Sequence, residues 1–192
     1  IATVNGSGST TSNVTLIRAL FGMGIPVSGK NLYPSNIQGM PTWFLIRLNK
    51  DGYLARSSQS EIVVAMCEES FQEDIDLLPP GGVLIYDEDL QKEAIRKDII
   101  SYSLPIRNLV RTAEVPHSLR SYVANMLYVG ALAWLLGIDR QEIRRALAHH
   151  FSGKDDPVEM NSQMVKTAWE YCDQELEKTG PYHVQRMEKT RG

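Results

Sequence analysis

The chain has 192 residues, 43% of them hydrophobic and 22% charged, which is enough apolar material for a packed core and excludes a disordered chain. A net charge of −3 argues against a nucleic-acid binder. The charge is uneven: residues 1–50 contain no Asp or Glu but hold Arg18, Lys30, Arg47 and Lys50, so a +4 start leaves −7 for the remainder.

In chain order, "IATVN" reads as a short buried strand and "SNVTLIRALFGMG" as a helix. In that helix Val14, Ile17 and Phe21 share one face, with Leu16 and Leu20 beside them, and Gly22 and Gly24 end it. "IPVS" opens a second extended element, and "GKNLYPSNIQGMP" has the Gly, Pro, Asn and Ser content of a loop. "TWFLIRLNKDGYLARSS" predicts a hairpin turning at Asp51-Gly52. "EIVVAMCEE" and "VLIYDED" are apolar strands of the kind buried inside an α/β sheet, separated by a short helix in "FQEDIDLLPPGG". "IISYSLPI" is a later strand.

From Pro116 the pattern turns helical. "SLRSYVANMLYVGALAWLLG" ends at Gly137, Asp139 caps "RQEIRRALAHHF" with Ile143, Leu147 and Phe151 as its apolar stripe, and "DPVEMNSQMVKTAWEYCDQELEKTG" stops at Gly180-Pro181. Residues 121–138 carry no charge and reach the length of a membrane span, but they include Ser, Asn, Tyr and Gly and sit among amphipathic helices. They read as a buried core helix. The expected fold is a Rossmann-like layered α/β domain with a mixed β-sheet and a C-terminal helical cluster. Residues 1–180 form the domain and residues 181–192 a polar tail or linker.

Several chemistries are disfavoured by spacing. Cys67 and Cys172 form no CxxC pair, and His117, His149, His150 and His183 show no metal-ligand spacing. Two isolated cysteines and no visible secretory leader point to the cytoplasm. "GIPVSGKN" misses the phosphate-loop pattern because Asn31 stands where Ser or Thr should hold magnesium. The opening "VNGSGSTTSN" gives G-x-G-x-x-T, lacking the third glycine and the downstream acid of a dinucleotide site. What remains at Gly6, Ser7, Gly8, Ser9, Thr10 and Thr11 is a tight, hydroxyl-rich turn feeding a helix start. That arrangement suits a phosphate or diphosphate, and it suits a ligand-free helix cap equally well.

Longer blocks carry a resemblance. The strand–"NGSGSTTSN"–helix start, "GIPVSGKNLYPSNIQGMPTWFLIRLNKDGYLARS", "PHSLRSYVANMLYVGALAWLLGIDRQEIRRALAHHFSGK" and "VEMNSQMVKTAWEY" together resemble the gamma domain of 2-oxoacid:ferredoxin (or other acceptor) oxidoreductases. They are most like the form fused to the front of the alpha subunit. The resemblance implies a share in the oxidative decarboxylation of a 2-oxoacid, such as 2-oxoglutarate or pyruvate, to an acyl-CoA. Thiamine diphosphate, magnesium and iron–sulfur clusters would lie in partner alpha and beta subunits or domains, with ferredoxin or another acceptor taking the electrons. It also implies a contribution to coenzyme A binding from the Gly6–Thr11 turn and from Lys30, Asn31, Asn36 and Gln38. The isolated chain would be inactive. A purely structural assembly domain is the alternative. A free nucleotide-binding enzyme is a weaker one, for want of a magnesium ligand.

Overall fold

The computed structural model describes residues 1–33, 37–55, 59–90, 95–113 and 115–190. Six strands form one mixed sheet in the order β2-β3-β1-β4-β5-β6. They are β1 (Ala2–Val4), β2 (Val27–Leu32), β3 (Pro41–Leu48), β4 (Ile62–Ala65), β5 (Val83–Asp87) and β6 (Ile100–Leu104). β1, β4, β5 and β6 run parallel, whereas β3 is antiparallel to both β1 and β2. The mixed α/β architecture is the one expected from the sequence.

Strand alternation explains the continuous apolar runs. Val64, Val83, Ile85 and Leu104 face one core, while Val63, Ala65, Leu84 and Tyr86 face the other. A strand covered on both faces has no solvent side to keep polar. The larger core lies under α1 (Ser9–Gly22), α5 (Asn125–Leu136), α6 (Arg140–His150) and α7 (Asp155–Glu175); the smaller one lies under α2 (Phe71–Asp76).

Four local expectations are corrected. The helix α1 begins at Ser9, not Ser12, so half of the supposed loop is its first turn. Its buried stripe runs through Leu16, Ala19 and Leu20, while Phe21 is 53% exposed. Residues 29–32, read as loop, are the last four of the six residues of β2: Lys30 pairs with Leu45 and Asn31 with Phe44. Gly29 gives Ile17 and Phe44 room there: a Cβ would sit 2.1 Å from Ile17 Cδ1 and 2.8 Å from Phe44 Cζ, so those side chains would have to shift. The predicted hairpin is absent: β3 pairs backward with β2, residues 53–55 form no strand, and residues 56–58 lie outside the described ones. The Asp51-Gly52 turn itself exists, with Gly52 N–H donating to the Asn49 carbonyl at 3.0 Å and φ of 80°. A helix not foreseen, α3 (Ile106–Thr112), follows β6.

The uncharged stretch is two helices. α4 (Arg120–Val123) and α5 meet at Ala124 with a 43° bend, and all twelve residues of α5 are buried. Among the described residues no single helix is long and apolar enough to cross a membrane. α6 starts as expected, with Gln141 N–H donating to Asp139 Oδ1 at 2.8 Å.

After α7 the chain runs back over the helix ends as an irregular strap. Val184 N–H donates to the Leu136 carbonyl, Met187 N–H to that of Met23 and Lys189 N–H to that of Gly24. Arg186 reaches Asp139 at 2.7 Å and Glu142 at 3.0 Å. The strap thus satisfies carbonyls left open where α1 and α5 end. Gly24 permits this approach: its φ is 78° and a Cβ would lie 1.7 Å from the Met187 carbonyl oxygen. Gly24→Ala is therefore expected to undock the strap. Trypsin should then cleave after Arg186 far faster than in the wild type, at a stability cost of about 2 kcal/mol. Equal cleavage of both proteins would refute this role of the strap.

Candidate functional site

The carboxyl end of β1 is where the parallel half of the sheet meets the antiparallel half, the place where open α/β sheets form ligand crevices. A cleft of about 300 Å³ opens there. The end of β1 supplies Thr3 and Asn5, and the turn supplies Gly6 and Gly8. The first turn of α1 supplies Ser9 and Thr10, while β2 and its exit supply Asn31 and Tyr33.

The turn is built by two left-handed glycines, Gly6 with φ 88° and Gly8 with φ 84°. Only glycine adopts that conformation without strain. Gly8 is the N-cap of α1 and brings no side chain to cap it, and the first helical turn contains no acid. The Thr11 N–H is taken by the Gly8 carbonyl, and Ser9 and Thr10, whose N–H groups precede the first helical hydrogen bonds, line the cleft at the positive end of the helix dipole. Side-chain room is limited: a Cβ on Gly6 would meet Gln38 Cγ at 3.0 Å.

The turn is fixed from two sides. Asn5 N–H donates to the Met40 carbonyl at 2.9 Å, Gly39 N–H donates to the Asn5 carbonyl at 3.1 Å, and Asn5 Nδ2 donates to the Ile37 carbonyl at 3.2 Å. This pins residues 37–40 beside it and brings Gln38 to its rim. From within, Thr3 Oγ1 donates to Ser9 Oγ at 2.8 Å, and Asn125 Nδ2 donates to the Ser7 carbonyl at 2.7 Å.

The ten residues singled out in the sequence are thus partly assembled. Gly6, Gly8, Ser9, Thr10 and Asn31 line the cleft. Ser7 turns its carbonyl toward Asn125, and Thr11 points away, its Oγ1 lying 3.2 Å from His150 Nε2. Lys30 alternates with Asn31 along β2 and projects from the opposite face of the sheet. Asn36 lies outside the described residues. The acid-free start of the chain does not put cations in the cleft: among the described lining residues none is acidic and none is basic. Its pull on an anion comes from peptide N–H groups.

Trp43, which also lines the cleft, is held by a buried acid that the sequence did not reveal. Trp43 Nε1 donates to Asp74 Oδ1 at 2.6 Å, and Ser70 Oγ donates to Asp74 Oδ2 at 2.8 Å. Asp74 is 1% exposed, and burial pushes its carboxyl from 3.8 up to about 6, against the opposing pull of those two hydrogen bonds. Between pH 4 and 6 the folded chain holds this proton and the unfolded chain does not, so this contribution to stability is lost as pH rises through 6. Asp74→Asn keeps an acceptor for Trp43 and a donor for Ser70 without the charge. It should match the wild type near pH 4 and exceed it by roughly 2 kcal/mol at pH 7.5 in urea denaturation. A variant less stable than wild type at pH 7.5 would contradict this.

Fold and cleft together define an α/β domain that presents a glycine-built helix start at a sheet switch point. The model of the pyruvate ferredoxin/flavodoxin oxidoreductase family matches residues 1–171, and the chain belongs to that family. It is similar to the alpha subunit of 2-oxoacid:ferredoxin oxidoreductase 2 from Aeropyrum pernix, with 22% identity over 86% of this chain and 32% of that protein. Its fold matches the 2-oxoglutarate:ferredoxin oxidoreductase of Magnetococcus marinus, solved with 2-oxoglutarate, coenzyme A and succinyl-CoA bound. The TM-score is 0.85 at 20% identity, covering 98% of this chain and 33% of that one. It also matches the gamma subunit of the keto/oxoacid ferredoxin oxidoreductase from Geobacter sulfurreducens, with a TM-score of 0.71 at 19% identity, over 88% of this chain and 94% of that subunit. The chain therefore spans a third or less of the two longer relatives and nearly all of the gamma subunit.

Proposed function

We propose that this chain is the gamma-type domain of a 2-oxoacid:ferredoxin (or other acceptor) oxidoreductase and that its cleft receives the diphosphate of coenzyme A. Residues 1–180 form that domain, and the polar segment after it docks back on the ends of α1 and α5 as the strap. The observation carrying the reading is the pair of left-handed glycines that aim the uncapped start of α1 into the cleft, in a chain of this family. The coenzyme A bound in the Magnetococcus marinus enzyme supports it.

The residues present suit such a group. A diphosphate needs close backbone approach, several N–H donors and no competing carboxylate. Gly6 and Gly8 allow the approach, the N–H groups of Ser9 and Thr10 are the donors, and the Thr10 hydroxyl and Asn31 amide border the same space. Gln38 covers the outer side of Gly6. Asn36, adjacent in sequence to Ile37, is proposed as a further contact. Lys30 could serve only a partner on the far face. With no cation among the described lining residues, this cleft holds an anion by hydrogen bonds and the helix dipole, and part of the affinity must come from outside the chain.

The chemistry belongs to partners. Thiamine diphosphate with magnesium supplies the carbanion step in alpha and beta subunits or domains, and iron–sulfur clusters pass electrons to ferredoxin or another acceptor in the cytoplasm. This domain holds the acyl acceptor and the assembly together. Purified from its host, the complex should release thiamine diphosphate on denaturation, absorb as an iron–sulfur protein and oxidise a 2-oxoacid only when coenzyme A is added. A stable native complex without thiamine diphosphate would sink the reading. The uncharged lining keeps one alternative in view, a packing domain that binds no small molecule. It predicts that altering the turn leaves the dependence on coenzyme A untouched.

A further inference from the structure

We propose that Asn125 is a positioning residue of the anion-binding turn, holding its peptide groups so that their N–H ends face the cleft; this rests on the coenzyme A reading above. A turn that points N–H groups at a ligand must point carbonyls the other way, into protein, where each needs a donor. The carbonyls opposite the N–H groups of Gly8, Ser9 and Thr10 are those of Ser7, Gly8 and Ser9, and the Gly8 carbonyl takes the Thr11 N–H at 3.3 Å. Asn125, 8% exposed, donates its Nδ2 to the Ser7 carbonyl at 2.7 Å. Tyr128, 1% exposed, points its hydroxyl between Asn13 Oδ1 at 2.9 Å and the Ser9 carbonyl at 3.4 Å.

The pattern explains a feature of the sequence that the core alone does not. The stretch of residues 121–138 is uncharged and mostly apolar, yet polar side chains recur at Tyr122, Asn125 and Tyr128. Three-residue spacing puts them on one side of a helical path, and that side meets the turn. Tyr122 covers Gly8, where a Cβ would lie 3.4 Å from its ring. The bend at Ala124 falls between Tyr122 and Asn125 and lets both reach the same few residues. A core helix that needed only packing would place apolar side chains here. The amide instead meets a specific carbonyl of the turn, 118 residues away in sequence.

The test uses the whole oxidoreductase with this chain in place and coenzyme A as the probe. Asn125→Asp is isosteric but sets a carboxylate oxygen against the Ser7 carbonyl. Asn125→Gln keeps an amide donor on a longer arm. The aspartate variant is expected to raise the KM for coenzyme A about tenfold, with a much smaller fall in kcat, and the glutamine variant to recover a large part of the difference. A merely structural role for Asn125 predicts a lower melting temperature with KM unchanged. An unchanged KM in Asn125→Asp, where Gly8→Val does raise KM, overturns the positioning role alone. An unchanged KM in both variants overturns the coenzyme A reading, and the positioning role with it.

Discussion

Gly130→Ala is expected to destabilise the chain by at least about 3 kcal/mol, although alanine is the better helix former by about 1 kcal/mol. Gly130 sits in the middle of α5, where that helix crosses α7. A Cβ there would lie 2.3 Å from the Val165 carbonyl oxygen and 2.9 Å from Ala168 Cβ. The obstacle is helix backbone, which cannot rotate away as a flexible side chain would. The helices must separate, opening a core in which Leu127, Met164 and Ala168 are almost wholly buried. In thermal unfolding the melting temperature should drop by roughly 6–12 °C. A variant as stable as wild type would show that α5 and α7 do not pack at this distance.

Gly8→Val is expected to weaken coenzyme A binding by the assembled enzyme about a hundredfold. The cause is conformation rather than space. A Cβ at Gly8 would make only an ordinary contact with Tyr122, at 3.4 Å. The φ of 84° is the obstacle, since a β-branched residue is strongly disfavoured there. The peptide groups on either side must rotate, and they carry the N–H groups of Gly8 and Ser9 at the start of α1. Gly8→Ala, with less bulk at Cβ, should lose less affinity. Titration calorimetry or the KM for coenzyme A reads the effect directly. Full affinity in a correctly assembled Gly8→Val enzyme would favour the packing-domain alternative.

The parts of the fold legible in the sequence are those governed by local rules. "IVVA" and "VLIY" are short enough and apolar enough to be buried strands, and the Asp139 cap before α6 forms as its chemistry requires. Gly6 and Gly8 announced a special turn because their need for positive φ is intrinsic to glycine. The errors fell where distant partners decide. Residues 29–32 look like loop but become strand because β3 pairs with them. Asp51-Gly52 looks like a hairpin turn, yet the chain after it forms no strand. Phe21 fits an apolar periodicity but lies on the open side of α1, since the direction of the core is set by the sheet.

The candidate site was legible to the same degree. The turn stood out by residue type and order, Asn31 only through the family resemblance, and the structure brings Gly6, Gly8, Ser9, Thr10 and Asn31 to one cleft. The resemblance grouped Lys30 with them; once residues 27–32 are a strand, alternate residues must part company. Asp74 gave no local signal and Asn125 only a faint one, because their importance lies in Trp43 and in the Ser7 carbonyl, far along the chain. The odd polar residues within an apolar helix were the one available hint for Asn125.

The most direct measurement of the central claim is a structure of the whole oxidoreductase with coenzyme A bound. The account predicts diphosphate oxygens within about 3 Å of the N–H groups of Ser9 and Thr10, with Gly6 and Gly8 still left-handed beneath them. Coenzyme A bound with its diphosphate on another domain, and this cleft empty or filled by a partner's side chains, would contradict it.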